Sequence, residues 1–194
     1  MDNIQILLGS KSPRRHSLVK ELGFPVKIKT IEVEEIYPDE LPVREVPEYL
    51  AKLKTQPYLK ALEENELLIT SDTVVILKDE LLGKPRDNED AKRMLNKLSG
   101  NSHEVITGVC MTLNGKTVSI SDKTTVHFKP LTSAEIDFYV DKYSPLDKAG
   151  SYGIQEWIGY IGIKGIEGCY YNVMGLPVSA IHTALLANFN LSAI

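Results

Sequence analysis

Hydrophobic and polar positions along the chain switch between a period near two and a period near 3.6, and most elements follow from those switches. Residues 4–8 form a short apolar run that predicts a buried strand. Ser12 is a good N-cap and Pro13 suits a first helical position. Leu18, Val19 and Leu22 then form an apolar stripe that ends before Gly23, so a helix is predicted between them. Residues 26–31 alternate like a half-exposed strand, and Pro47 predicts a second helix carrying Leu50 and Leu53, which Pro57 must break or kink. Residues 67–77 are strand-like but for an interruption at Ser71-Asp72-Thr73. Residues 91–98 predict a helix stopped by Gly100. Two strands, 105–113 and 117–128, are joined by Asn114-Gly115, a strong hairpin signal. Thr132 and Glu135 fit a capping box for a helix reaching about Tyr143. A Gly-rich segment, a strand near residues 160–163 and a last helix from Pro177 to about Phe189 complete the chain. Mixed helices and strands with one clear antiparallel hairpin predict an α/β or α+β single domain on a mixed sheet.

Composition narrows the class. A chain of 194 residues suits one ordinary domain, or two small lobes sharing a core, and 43% apolar with 25% charged residues is a globular balance. Cys110 and Cys169 lie far apart and form neither a disulfide framework nor a zinc pattern, which suits a reducing compartment. Asp2 stands where a secretory leader would carry positive charge, the run at 4–8 is too short for its apolar core, and no stretch is long enough to span a membrane. A cytoplasmic protein is therefore expected. The net charge of -4 argues against nucleic-acid binding, which needs a broad basic surface, but a small anion needs only a local cluster of cations.

Four segments could carry chemistry. Lys11, Arg14 and Arg15 surround the start of the first predicted helix, the unfavourable end of its dipole for cations. With Ser10 and Ser12 nearby they read either as a solvated basic turn or as an anion site built on free N–H groups. Asp72 interrupts an apolar run, where a carboxylate is costly unless it meets a cation, metal or water. It reads either as a turn between two short strands or as a metal ligand or general base, with Glu34-Glu35 a possible source of a second carboxylate. Lys54, on the second helix, and Lys84, held extended by Pro85, are either exposed lysines or further phosphate contacts. The segment 147–155 carries two close glycines and Gln155, whose amide can complement a uracil or thymine edge; a loop without ligand is the alternative. The four histidines, His16, His103, His127 and His182, are scattered and read as structural or surface residues.

These residues resemble the Maf-like nucleotide pyrophosphatases. The matching segments are Ser10-Lys11-Ser12-Pro13-Arg14-Arg15, Leu50-Ala51-Lys52-Leu53-Lys54, Ser71-Asp72-Thr73-Val74-Val75 and Gly83-Lys84-Pro85. Leu98-Ser99-Gly100 with His103, Thr107-Gly108-Val109, residues 147–155 and Val173-Met174-Gly175-Leu176-Pro177 continue the series in the family's order over nearly the whole chain. The resemblance implies an α/β fold, inosine-triphosphatase-like, in which residues 1–194 form one two-lobed domain around an elongated mixed β-sheet with a central cleft, often dimeric. It implies hydrolysis of a nucleoside triphosphate to its monophosphate and pyrophosphate with a divalent metal, Mg²⁺ or Mn²⁺. Asp72 would be the proton acceptor or a metal ligand, and Glu35 would help to bind metal. Ser10, Arg15, Lys54 and Lys84 would hold phosphates. Arg14, Thr73 and Gln155, at the positions that separate subfamilies, look like the branch acting on dTTP and UTP. Whether the biological nucleotide is normal or a modified pyrimidine is left open, and the alternative is a non-catalytic nucleotide-binding regulator of septum formation. Three departures stand out: Gly9 where the family usually has Ala, Thr55-Gln56-Pro57 within a helix that normally runs on, and Ser144 in place of an acidic residue.

Overall fold

The computed structural model describes residues 4–193; Asp2, used above against a secretory leader, lies outside them. In chain order the elements are β1 (Gln5–Leu8), α1 (Pro13–Lys20), β2 (Val26–Ile28), α2 (Val46–Thr55), β3 (Glu66–Leu77), β4 (Glu80–Leu82) and α3 (Asn88–Leu98). They continue with β5 (Ser102–Leu113), β6 (Lys116–Phe128), α4 (Ser133–Tyr143), α5 (Trp157–Gly162), β7 (Ile163–Glu167), α6 (Tyr170–Met174) and α7 (Val178–Phe189). The strands form one mixed sheet in the order β2-β1-β3-β5-β6-β7, with β4 pairing β3. β1 runs parallel to both β2 and β3, whereas β4 and β7 pair antiparallel with β3 and β6. No described helix is long and apolar enough to cross a membrane, and both cysteines are free.

Local chemistry explains most boundaries. Ser12 caps α1 by accepting from the Arg15 N–H, with Pro13 in the first turn. Thr132 and Glu135 complete a capping box on α4. Asn114 and Gly115 both adopt positive φ, 49° and 75°, as a tight hairpin between β5 and β6 requires. Pro57 ends the α-helical bonding after Thr55, and the chain continues as a 3-10 turn over Gln56–Ala61.

Two expectations are corrected. β3 is an unbroken strand of 12 residues, with no turn at Ser71-Asp72-Thr73. It is buried almost throughout, and its polar side chains at Thr70 and Asp72 find partners in α2, so the chain has no need to leave the sheet there. Residues 157–162 are helical rather than a strand near 160–163. Ile158 and Gly162 are buried four residues apart while Tyr160 between them is 75% exposed, which is helical spacing, and the strand begins only at Ile163.

The chain forms two compact units. The first comprises the described residues up to Asp72 with Thr107–Asp122 and Gly175 onward; the second comprises Thr73–Ile106 and Lys123–Met174. In the first unit Leu7, Leu68 and Tyr58 pack together with Ile31 and Leu62. The first turn of α2 lies directly on β5: a Cβ at Gly108 would come within 2.4 Å of the Pro47 and Glu48 backbone, so only glycine permits the contact. In the second unit an apolar cluster gathers around Leu95 and Leu98 of α3, Ile136 and Tyr139 of α4, Phe128 and Ile158, all fully or almost fully buried.

Candidate active site

Within the first unit, one ammonium joins two carboxylates. Lys54 Nζ, in the last turn of α2, lies 2.5 Å from Asp72 Oδ1 and 2.7 Å from Glu35 Oε1. Asp72 is 8% exposed, so the ion pair is largely withdrawn from water, while the Glu35 side chain is half exposed. Helix position and charge agree, since a cation belongs at a helix C-terminus. The seam between α2 and β3 sets the register: Thr70, two residues before Asp72 and so on the same face of β3, donates to Ala51 O at 2.8 Å, and Thr55 Oγ1 lies 2.7 Å from Thr70 Oγ1. These two hydroxyls hold Lys54 despite the break at Pro57. Nothing in the sequence marks Thr55 and Thr70 as partners: Thr55 stands between Lys54 and Gln56, and Thr70 between an apolar run and Ser71.

Arg15 approaches the same place from α1. Its Nε donates to Gly175 O and its Nη1 to Ser71 O, each at 2.8 Å, so the side chain fastens the middle of β3 to the segment before α7. Burial pulls the Arg15 guanidinium below the ordinary arginine value. The charge of Asp72 counters this, Arg14 adds to the lowering, and Glu35 counters it further. The group remains a cation, because a guanidinium does not deprotonate in proteins. Ser10 is buried, with its Oγ accepting from the Ser12 N–H at 3.2 Å and its carbonyl accepting from His16 Nε2 at 2.7 Å. His16 thus serves the loop as a structural residue, as the sequence reading has it. The chain itself answers part of the cationic charge at the start of α1: Lys11 pairs with Glu32 at 2.5 Å, on the surface. Gly9, the departure from the family's Ala, has a local reason. A Cβ there would meet the Thr70 methyl at 2.9 Å and the Tyr58 hydroxyl at 3.1 Å.

Arg14 lies on α1 in the first unit, whereas Thr73, Lys84 and Gln155 belong to the second. Thr73 is half-buried on β3 directly after Asp72. Lys84 is exposed in the loop after β4, and the preceding Gly83 carbonyl accepts from the Gly150 N–H at 3.1 Å. Gln155 follows the turn built by Gly150, Ser151 and Tyr152, where Gly150 and Ser151 have φ of 68° and 62°. Tyr152 is buried and its hydroxyl lies 2.7 Å from His103 Nε2. Gln155 Oε1 is buried without a hydrogen-bond partner, an acceptor aimed at nothing the protein supplies.

With this geometry in view, the comparisons with known proteins decide the family. Residues 5–188 match the Maf-like protein family. The chain belongs to it. It is 50% identical over 186 residues to a dTTP/UTP pyrophosphatase of Phocaeicola vulgatus, across 95% of this chain and 96% of that one. A dTTP/UTP pyrophosphatase of Flavobacterium psychrophilum is 50% identical over 185 residues, across 95% of each chain. Among solved structures the Staphylococcus aureus Ham1 protein shares the fold, with a TM-score of 0.54 at 17% identity over 94% of this chain and 98% of that one.

Proposed function

We propose that this Maf-like protein is a nucleoside-triphosphate pyrophosphatase that hydrolyses dTTP and UTP to the monophosphate and pyrophosphate. The observation that carries the reaction is the Lys54 ammonium held between the carboxylates of Asp72 and Glu35, with the Arg15 guanidinium beside them. Cations next to a protected carboxylate suit attack of water on a phosphorus atom. The carboxylate takes the proton from water as it attacks the α-phosphorus, and the positive charges stabilise the departing pyrophosphate. Asp72 is the proton acceptor in this scheme. Ser10, Arg15, Lys54 and Lys84 hold phosphates, and Arg14 and Thr73 take part with Gln155 in choosing the base.

A divalent metal fits the donors present. Among the described residues no group of three or more His, Cys, Asp or Glu could hold an ion. Asp72 and Glu35 nonetheless converge on one cation, Lys54, and Mg²⁺ is commonly held by one or two carboxylates with the rest of its shell from water and substrate phosphates. Asp72 and Glu35 would hold Mg²⁺ or Mn²⁺, which when bound would neutralise phosphate charge and acidify water.

Base choice follows from Gln155. Its buried Oε1 lacks a donor, and the N3–H of uracil or thymine supplies one, whereas N3 of cytosine presents a lone pair. The alternative of a non-catalytic regulator is disfavoured by Asp72, because a nucleotide sensor gains nothing from a buried carboxylate beside a bound polyanion. A panel of nucleoside triphosphates with Mg²⁺ or Mn²⁺, scored by pyrophosphate release, tests the proposal. UTP and dTTP should be the best substrates, and no pyrophosphate from any nucleotide would remove the enzyme reading.

A further inference from the structure

The second unit contains a buried polar network that none of these assignments uses. Lys148 is 8% exposed, and its Nζ pairs with Asp147 Oδ1 at 2.7 Å and Glu156 Oε1 at 3.2 Å. The other oxygen of Glu156 accepts from the hydroxyl of Tyr139 on α4, and that hydroxyl accepts in turn from the Gly153 N–H at 3.0 Å. Tyr139 is completely buried, and burial followed by the neighbouring Glu156 raises its pKa, so it stays a donor. Packing here leaves no slack. A Cβ on Gly153 would stand 2.8 Å from Glu156 Cδ and 3.1 Å from Gln155 Nε2, so the Glu156 carboxyl group and the Gln155 amide both close in on Gly153 and leave no room for a side chain there.

The network is local yet anchored. Lys148, Gly153 and Glu156 lie on the same segment as Gln155, and Tyr139 fastens that segment to a helix whose own capping box is complete. Every polar group named is satisfied except Gln155 Oε1, which is buried and unpartnered. A charged, fully bonded network beside a single orphan acceptor is what fixes a side chain that must discriminate by hydrogen bonding, because the selectivity of such a site depends on the acceptor neither turning away nor being solvated.

We propose that Tyr139, Lys148 and Glu156 are positioning residues for base selection, holding the turn at 153–156 so that the Gln155 carbonyl oxygen is presented to the N3–H of uracil or thymine. This rests on the assignment of Gln155 to the base made above. Loss of the network lets the amide rotate or take up water, and a cytosine nucleotide is then penalised less.

The test is the ratio of kcat/KM for UTP to that for CTP, measured for the wild type, Gln155→Ala, Tyr139→Phe and Glu156→Ala. A variant that merely folds less completely loses both activities equally and keeps the ratio. The positioning role predicts a ratio lowered by about tenfold in Tyr139→Phe and in Glu156→Ala. Wild-type ratios in both, alongside a collapsed ratio in Gln155→Ala, would overturn it while leaving Gln155 as the base reader. An unchanged ratio in Gln155→Ala would overturn the base assignment itself. Should Tyr139→Phe or Glu156→Ala prove insoluble, Glu156→Gln, which removes the charge paired with Lys148 but keeps the side chain's size, is read against the same two outcomes.

Discussion

The hydroxyl oxygens of Thr55 and Thr70 lie 2.7 Å apart in the buried seam between α2 and β3, and both reach the Ala51 carbonyl oxygen, at 3.1 and 2.8 Å. Two protons serve three contacts, so the triangle is held by exchange rather than by one fixed pattern. Its effect is positional. Lys54 precedes Thr55 and Asp72 follows Thr70 by two residues, and the triangle fixes the distance at which their charges meet.

Thr70→Val keeps the shape of the side chain and removes its hydroxyl. The expected cost in stability is about 1–2 kcal/mol, as for a lost buried hydrogen bond. Because Lys54 is then less well placed, kcat should fall by about tenfold as well. Urea unfolding and steady-state kinetics on the same preparation separate the two effects. A destabilised variant with wild-type kcat would show that the seam does not set the Lys54–Asp72 distance.

Pyrophosphate release should require Mg²⁺ or Mn²⁺ and stop on chelation. Glu35 is half exposed and offers a carboxylate beside that of Asp72, so Glu35→Gln should raise the metal concentration for half-maximal activity by about tenfold or more. Saturating metal should recover much of the activity. A metal titration curve identical to wild type would remove Glu35 from the metal site.

A separate prediction concerns stability and pH. Burial holds His103 neutral, its pKa lowered to about 4, with nearby His127 adding to the effect. The unfolded histidine titrates near 6.5, so between these values the unfolded chain binds a proton that the folded chain refuses. The His103 contribution is therefore complete above pH 6.5 and is lost as pH falls toward 4, amounting to about 3 kcal/mol at the low end. Replacing His103 by Gln should flatten the stability curve in that window relative to wild type. Urea midpoints measured from pH 7 to pH 4 check this, and parallel curves for the two proteins would contradict it.

Much of the fold is legible in the sequence because its signals are local. Ser12 with Pro13, Asn114-Gly115, and Thr132 with Glu135 each specify a boundary through neighbours within three residues, and each appears as read. Where partners are remote, reading by pattern fails. Asp72 looks like a break in β3 because the cation that permits it there, Lys54, comes from a different element. β4 and α6 are too short, at 3 and 5 residues, for periodicity to register. At the candidate site the residue types were legible, and Glu35 does reach Asp72 through Lys54. Arg15 was legible as a cation but not as the tie to the Ser71 and Gly175 carbonyls, since one of those partners is 160 residues away. Tyr139 and Glu156 carried no signal, because a tyrosine on a helix and a glutamate after a loop are ordinary until their hydrogen bond is seen.

The most direct test is pyrophosphate release from UTP and dTTP by wild type and Asp72→Asn, with nucleotide binding measured on the same samples by calorimetry in the presence of Mg²⁺. Asn keeps the size of the side chain and cannot accept the proton from water. The expected result is wild-type release and a variant that binds nucleotide yet releases pyrophosphate at least about a hundredfold more slowly. Release by Asp72→Asn at the wild-type rate would contradict the role given to Asp72 and, with it, the site built around Lys54.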